Sequence, residues 1–317
     1  MTQRAFRTAD GLRDGLTPGT LRGPAYLRPT SGVRILRTPR LDASPRVLLL
    51  DRCLAIAMVL GPAVAFSHTT ALRLHEIELP WRLVDEETVH VTSGAGNERT
   101  RRTGIVGHAT TRPLTLREVA GLRVVEPAQA WVQVASMLSS VEDVVVLGDR
   151  LLDRERPTAT LERLAAVLVE RRGSPGTALC RRALPLVRPG TDSSMETRAR
   201  LELVGSGLPC PIVNEPVFDE RGLFVSQPDM KYERERVAIE YDGDVHRTDR
   251  ATWRRDQERR ERMRDAGWDV LSATADDVIH HPGRLAARVR RALERARSLD
   301  SARIVRDMSP TEYRDSK

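Results

Sequence analysis

This chain of 317 residues has little lysine, little cysteine and no long apolar run. The only lysines are Lys231 and Lys317, so nearly every cation is an arginine. Arginine forks match phosphate oxygens, and a formal net charge of +7 favours an anionic partner such as nucleic acid. Cys53, Cys180 and Cys210 stand apart from one another and form no metal-ligand pair. That excludes a cysteine-built zinc framework and fits a reduced, cytoplasmic setting. The longest apolar run, residues 54–66, is too short to span a bilayer and is broken at Gly61 and Pro62, so no membrane association is expected. The first fifteen residues lack the apolar core of a secretory signal. No internal repeat is visible. A mean hydropathy of −0.38 and the length fit a globular protein of at least two domains.

The pattern along the chain divides it. Residues 1–45 are rich in Arg, Gly, Pro and Thr, with Thr17 before Pro18 marking a helix start; they can hold one short helix and a small hairpin, too little for a core of their own. Residues 46–172 carry an apolar helix to Leu60, then a second helix opened by Ser67. Short strands follow at 88–92, 103–108 and 122–125, and three further helices reach Gly173. Gly and Pro punctuate residues 173–192, which read as a linker around one short helix. From 193 to 300 the order is α-β-β-β-α-β-α, with strands at 211–218, 223–229, 236–242 and 268–273, and residues 301–317 form a tail. The expected class is α/β or α+β throughout.

The segment from Pro228 to His246 carries the chemistry. Val237, Ile239 and Tyr241 alternate with Ala238, Glu240 and Asp242, the period of a half-buried strand. Glu240 and Asp242 therefore share a face, with Asp229 eleven residues before Glu240. Carboxylates gathered on an apolar strand repel one another unless a proton or cation relieves them, and Mg²⁺ or Mn²⁺ prefers such oxygen donors. Gly243 lets the chain turn, and the imidazole of His246 suits a general base or proton shuttle. Glu196 lies three residues after Ser193, which is also the spacing of a helix capping box. Arg255, Asp256, Arg259 and Arg260 lie on the next helix; Arg255 or Arg260 is a candidate phosphate contact, and the remaining charges read as a solvated face. Arg284, Arg288, Arg291 and Arg295 form a basic stripe that reads the same way. Trp253 and Trp268 read as core, and His68 and His75 as structural.

The strings SSMETRAR (193–200), Pro228–Asp229, VAIEYDGDVH (237–246) and WRRDQERRERMRDAGWDVL (253–271) together resemble the very-short-patch repair endonuclease-like domain of the PD-(D/E)XK nuclease superfamily, found in many actinobacterial proteins. The resemblance implies a restriction-endonuclease-like mixed sheet flanked by helices over 193–300. It implies a Mg²⁺- or Mn²⁺-dependent hydrolase acting on the phosphodiester bonds of DNA, with RNA not excluded. In that likeness Asp229, Glu240, Glu196 and the main-chain carbonyl of Tyr241 hold the metal, and His246 moves the proton. Asp242 stands where the superfamily motif has Lys; the very-short-patch enzymes also lack that Lys. Upstream, GLTPGTLRGP (15–24), SGVRI (31–35), AFSHTTALRLHEIELP (65–80) and the 124–152 pattern are similar to abortive-infection type IV antitoxins, with a shortened winged-helix segment at 1–45. That likeness implies the alternative reading, a DNA-binding regulator with an inactive nuclease domain, and leaves room for a toxin partner or a homodimer.

Overall fold

The computed structural model describes residues 5–37, 44–242 and 250–308, with the backbone alone for 250–256 and 302–308. The fold is α+β, and the chain forms two compact units, Met1–Pro189 and Gly190–Lys317. No helix among the described residues is long and apolar enough to cross a membrane.

The first unit opens with strands β1 (Ala5–Arg7), β2 (Tyr26–Leu27) and β3 (Val33–Leu36), antiparallel in the order β1-β3-β2, and helices α1 (Thr8–Arg13) and α2 (Pro18–Arg22). The sequence led us to expect one helix here; there are two. Thr17 caps α2, its Oγ1 accepting from Thr20 N at 3.1 Å, as the Thr-Pro start predicts. This small sheet buries Val33 and Ile35 against Ala55 of helix α3 (Pro45–Ala57), which supplies the core the segment lacks.

A five-stranded mixed sheet follows, in the order β6-β5-β4-β8-β7, from β4 (Val64–Phe66), β5 (Val89–Ser93), β6 (Ile105–Ala109), β7 (Leu116–Val119) and β8 (Leu122–Val125). β4 and β7 were not anticipated. Helices α4 (His68–Leu74), α5 (Pro127–Ala135), α6 (Val141–Leu151) and α7 (Leu161–Glu170) complete the layer. The stretch read as a linker belongs to this unit as far as Pro189. Helix α8 (Thr177–Ala183) buries Cys180 and Ala183, and Val187 beyond it is fully covered. Gly176 permits this: its φ of +84° is left-handed, and a Cβ there would stand 2.2 Å from the Val132 carbonyl oxygen.

The second unit begins with helix α9 (Ser194–Gly205). Strands β9 (Ile212–Val213), β12 (Met230–Tyr232), β13 (Val237–Tyr241) and β14 (Asp269–Ala273) form a mixed sheet in the order β14-β13-β12-β9, and β10 (Val217–Phe218) pairs with β11 (Phe224–Ser226) as a separate hairpin. The two strands expected at 211–218 and 223–229 are thus each shorter. Asn214 takes a left-handed φ of 45° and breaks the first, while Met230–Tyr232 is an added strand. Asp219 closes the hairpin, accepting from Arg221 N at 2.8 Å and Leu223 N at 2.9 Å. Helix α10 (Arg250–Asp265) crosses to β14, which runs parallel to β13, and a π-helical turn (Asp276–His280) leads into helix α11 (Arg284–Met308).

β13 is central and buried on both faces, where the alternation predicted one wet face. Val237 and Ile239 pack with Leu203 of α9 and Leu285, Val289 and Leu293 of α11. Ala238 packs the other way, with Met263 and Trp268. Trp268 is core, as expected. The arginine stripe of α11 serves its own unit: Arg288 donates to Asp277 and to the Ser272 carbonyl, and Arg295 to Asp269.

Candidate functional site

Strand pairing brings the acids together. Met230 pairs with Ile239, so Asp229, one residue before β12, lies alongside Glu240. The Tyr241 N–H donates to Asp229 Oδ2 at 2.6 Å, and the Asn214 N–H donates to the Asp229 carbonyl at 3.0 Å. Both ends of this aspartate are thereby fixed by backbone. Glu240 points to the α10 side of the sheet and is only 2 % exposed.

Two arginines of α10 meet Glu240 there. Arg259 Nη2 lies 3.1 Å and Arg260 Nε 3.4 Å from Glu240 Oε2. Arg260 Nη2 also stands 3.5 Å from Asp242 Oδ2, so Glu240 and Asp242 share a face, as their spacing requires. Asp242 is otherwise open, its side chain 42 % exposed. Arg260, expected on a phosphate, thus serves the carboxylates of its own site. Glu240 Oε1 is buried and has no hydrogen-bond partner among the described residues. A buried carboxylate oxygen without a donor is costly, and a cation beside it would relieve that cost.

Glu196 reaches the cluster from α9 but is committed as a cap. Its backbone N–H donates to Ser193 Oγ at 3.2 Å, Ser193 Oγ donates to Oε1 at 2.8 Å, and Asp192 N donates to Oε2 at 3.0 Å. Asn214 Nδ2 adds a bond to Oε2 at 2.9 Å. The capping-box reading of Ser193 and Glu196 therefore holds. Its charge still acts on Asp229: burial first, and then the negative charge of Glu196, push the Asp229 carboxyl up to about 7, with Glu240 adding to the rise. Asn214 had no signal in the sequence beyond its place before Glu215 and Pro216. It ties the acid helix to the strand that carries Asp229.

Gly243 and His246 lie outside the described residues, as do the side chains of Trp253, Arg255 and Asp256. His75 is structural as expected, its Nε2 3.1 Å from the Val125 carbonyl oxygen.

No protein-family model matches this chain, and no solved structure matches it. Two curated relatives do: the uncharacterised proteins MT2308 and Rv2248 of Mycobacterium tuberculosis, from strains CDC 1551 / Oshkosh and ATCC 25618 / H37Rv. Each is 30% identical over 254 residues, an alignment covering 78% of this chain and 88% of the relative. At that identity and coverage, this chain belongs to the same family as these two mycobacterial proteins.

Proposed function

We propose that the second unit is a metal-dependent DNA endonuclease of the PD-(D/E)XK, very-short-patch-like kind. The observation that carries the reading is the pairing of Asp229 with a buried Glu240 whose Oε1 lacks a partner among the described residues. The donors are all hard oxygens, so the residues fit Mg²⁺ or Mn²⁺. Asp229, Glu240 and the Tyr241 carbonyl would hold the ion, which when bound supplies an acidified water and neutralises charge on the scissile phosphate.

The residues of the chain do the rest. The Tyr241 N–H holds Asp229 in place, and Glu196, through Asn214 and its own cap, sets the field around it. We assign proton transfer to His246, by its spacing after the motif. Arg260, 3.4 Å from Glu240 Oε2, is the cation that would turn towards a phosphate oxygen, the contact expected from the sequence. Three free cysteines, two of them buried, fit a reducing cytoplasm.

One observation favours the alternative of a DNA-binding regulator with an inert site. Arg259 and Arg260 already supply positive charge at Glu240, and Asp242 stands at the position of the motif Lys. The experiment that separates the two is incubation of plasmid, duplex and single-stranded DNA with the full chain in Mg²⁺ or Mn²⁺, beside the Asp229→Ala, Glu240→Ala double variant. Cleavage by the wild type alone is the expected result. DNA bound but uncut with either ion would hand the reading to the regulator.

A further inference from the structure

The first unit holds a second cluster of chemistry-bearing side chains. His68, His90 and His108 stand 22 and 18 residues apart in the chain, His90 and His108 on the neighbouring strands β5 and β6 and His68 at the start of α4, just after β4. β4 pairs with β5 at Phe66 and Val91, and the Ser67 N–H donates to the His90 carbonyl at 3.0 Å, which delivers His68 beside β5. β5 runs parallel to β6 with Thr92 opposite His108, so His90 and His108 share a face on adjacent strands. The three rings stack, with centroids 3.7 Å apart for His68 and His108 and 5.3 Å for His90 and His108. One nitrogen from each lies within 4.8 Å of the other two.

We propose that His68, His90 and His108 bind a divalent transition-metal ion of the zinc class. Imidazole nitrogen suits zinc, copper, iron or nickel and suits Mg²⁺ poorly, so this site is chemically distinct from the carboxylate pair. His90 Nδ1 and His108 Nε2 are 3.0 Å apart. Two nitrogens bound tetrahedrally at zinc bond lengths stand about 3.3 Å apart, so the ion can take the place of the single proton now shared between these two rings with little movement, while His68, stacked on His108 at 3.7 Å, would turn to bring its nitrogen to the ion.

The outer groups fit the same assignment. Ser67 Oγ lies 3.0 Å from His68 Nδ1, which fixes that ring and leaves Nε2 as the coordinating atom. The sequence predicted Ser67 as the side-chain cap of α4, but its hydroxyl caps nothing and goes to His68 instead. His90 Nε2 is buried and unpartnered among the described residues, with Glu86 Oε1 3.9 Å away, so metal at Nδ1 would strengthen an imidazole–carboxylate contact there. His68 also holds a left-handed φ of 53°, rare for a residue with a side chain and maintained only when its surroundings demand it. His68 and His90 are buried, which disfavours the charged imidazolium form. Neutral imidazoles are the form that coordinates. Arg73 and Arg99 face the cluster and oppose a cation, while Glu86 offsets them. Three protein donors is the number at which zinc keeps a position for water or a substrate.

The test is Zn²⁺ titration of the full chain against a chromophoric chelator, beside His108→Asn, His90→Gln and the Asp229→Asn, Glu240→Gln double variant. One equivalent bound by the wild type and by the carboxylate variant, and weakened about tenfold or more in both histidine variants, is the expected result. Equal affinity in the histidine variants, loss in the carboxylate variant alone, or no binding in the micromolar range by the wild type would each overturn the site. Should the histidine variants fail to fold, Co²⁺ loaded into the wild type decides: an intense visible spectrum of low-coordinate, nitrogen-bound cobalt supports the site, and a weak octahedral spectrum overturns it.

Discussion

At the scale of the residue, Asp229 makes the second unit sensitive to pH. Its carboxyl is held up to about 7, so the folded protein keeps a proton that the unfolded chain releases near pH 4. A raised acid of this kind makes stability fall as pH climbs from about 4 to about 7 and leaves it level above. Asp229→Asn removes that slope. It is expected to raise metal-free stability at pH 8 by on the order of 1–3 kcal/mol, read from urea unfolding. A loss of stability at pH 8 would mean that the charge of Asp229 is compensated within the fold. His246→Ala carries a different expectation: cleavage falls by about 100- to 10,000-fold while DNA and Mg²⁺ affinity hold, measured by single-turnover kinetics and calorimetry. The acid pair was legible in the sequence because strand alternation alone places Glu240 and Asp242 on one side. The partner of Glu240 was not, since Arg259 and Arg260 reach it across a helix crossing that no spacing encodes. The histidine cluster was invisible for the same reason, each ring a lone histidine until the sheet registers align them.

At the scale of the element, helices with an N-cap and an apolar stripe read well from sequence, as did the four-residue β8, while several shorter strands did not. β4 and β12 have three residues each, too few for an alternation to show. The stretch after Arg172 misled because Gly173 and Gly176 look like linker residues, yet Gly176 is there so that backbone can touch backbone. The same logic yields a prediction for β6. A Cβ at Gly107 would stand 2.0 Å from the Thr100 carbonyl oxygen. Gly107→Ala is therefore expected to cost about 2 kcal/mol or more in thermal or urea unfolding, and to weaken Zn²⁺ binding by displacing His108. An unchanged midpoint would show that the strand shifts freely. In the second unit, Ser193→Ala removes the cap of α9 and one hold on Glu196, and should lower stability by about 1 kcal/mol.

At the scale of the whole molecule, two compact units carry two unlike candidate metal sites, one of carboxylates and one of imidazoles. The arginine-rich balance, +7 overall, predicts that DNA affinity falls steeply and log-linearly with salt; a flat salt dependence in a filter or anisotropy assay would argue against a phosphate-bound partner. The α+β class and the change of pattern near residue 190 were legible from composition and periodicity, because Gly, Pro and apolar spacing act locally. The measurement that tests the central claim most directly is Mn²⁺ binding to the full chain at pH 8, compared between the wild type and the Asp229→Asn, Glu240→Gln variant. The account predicts Mn²⁺ bound by the wild type, bound progressively more weakly as the pH falls and protons compete for the carboxylates, and lost in the variant. Equal binding by both proteins, or none by the wild type, would contradict it.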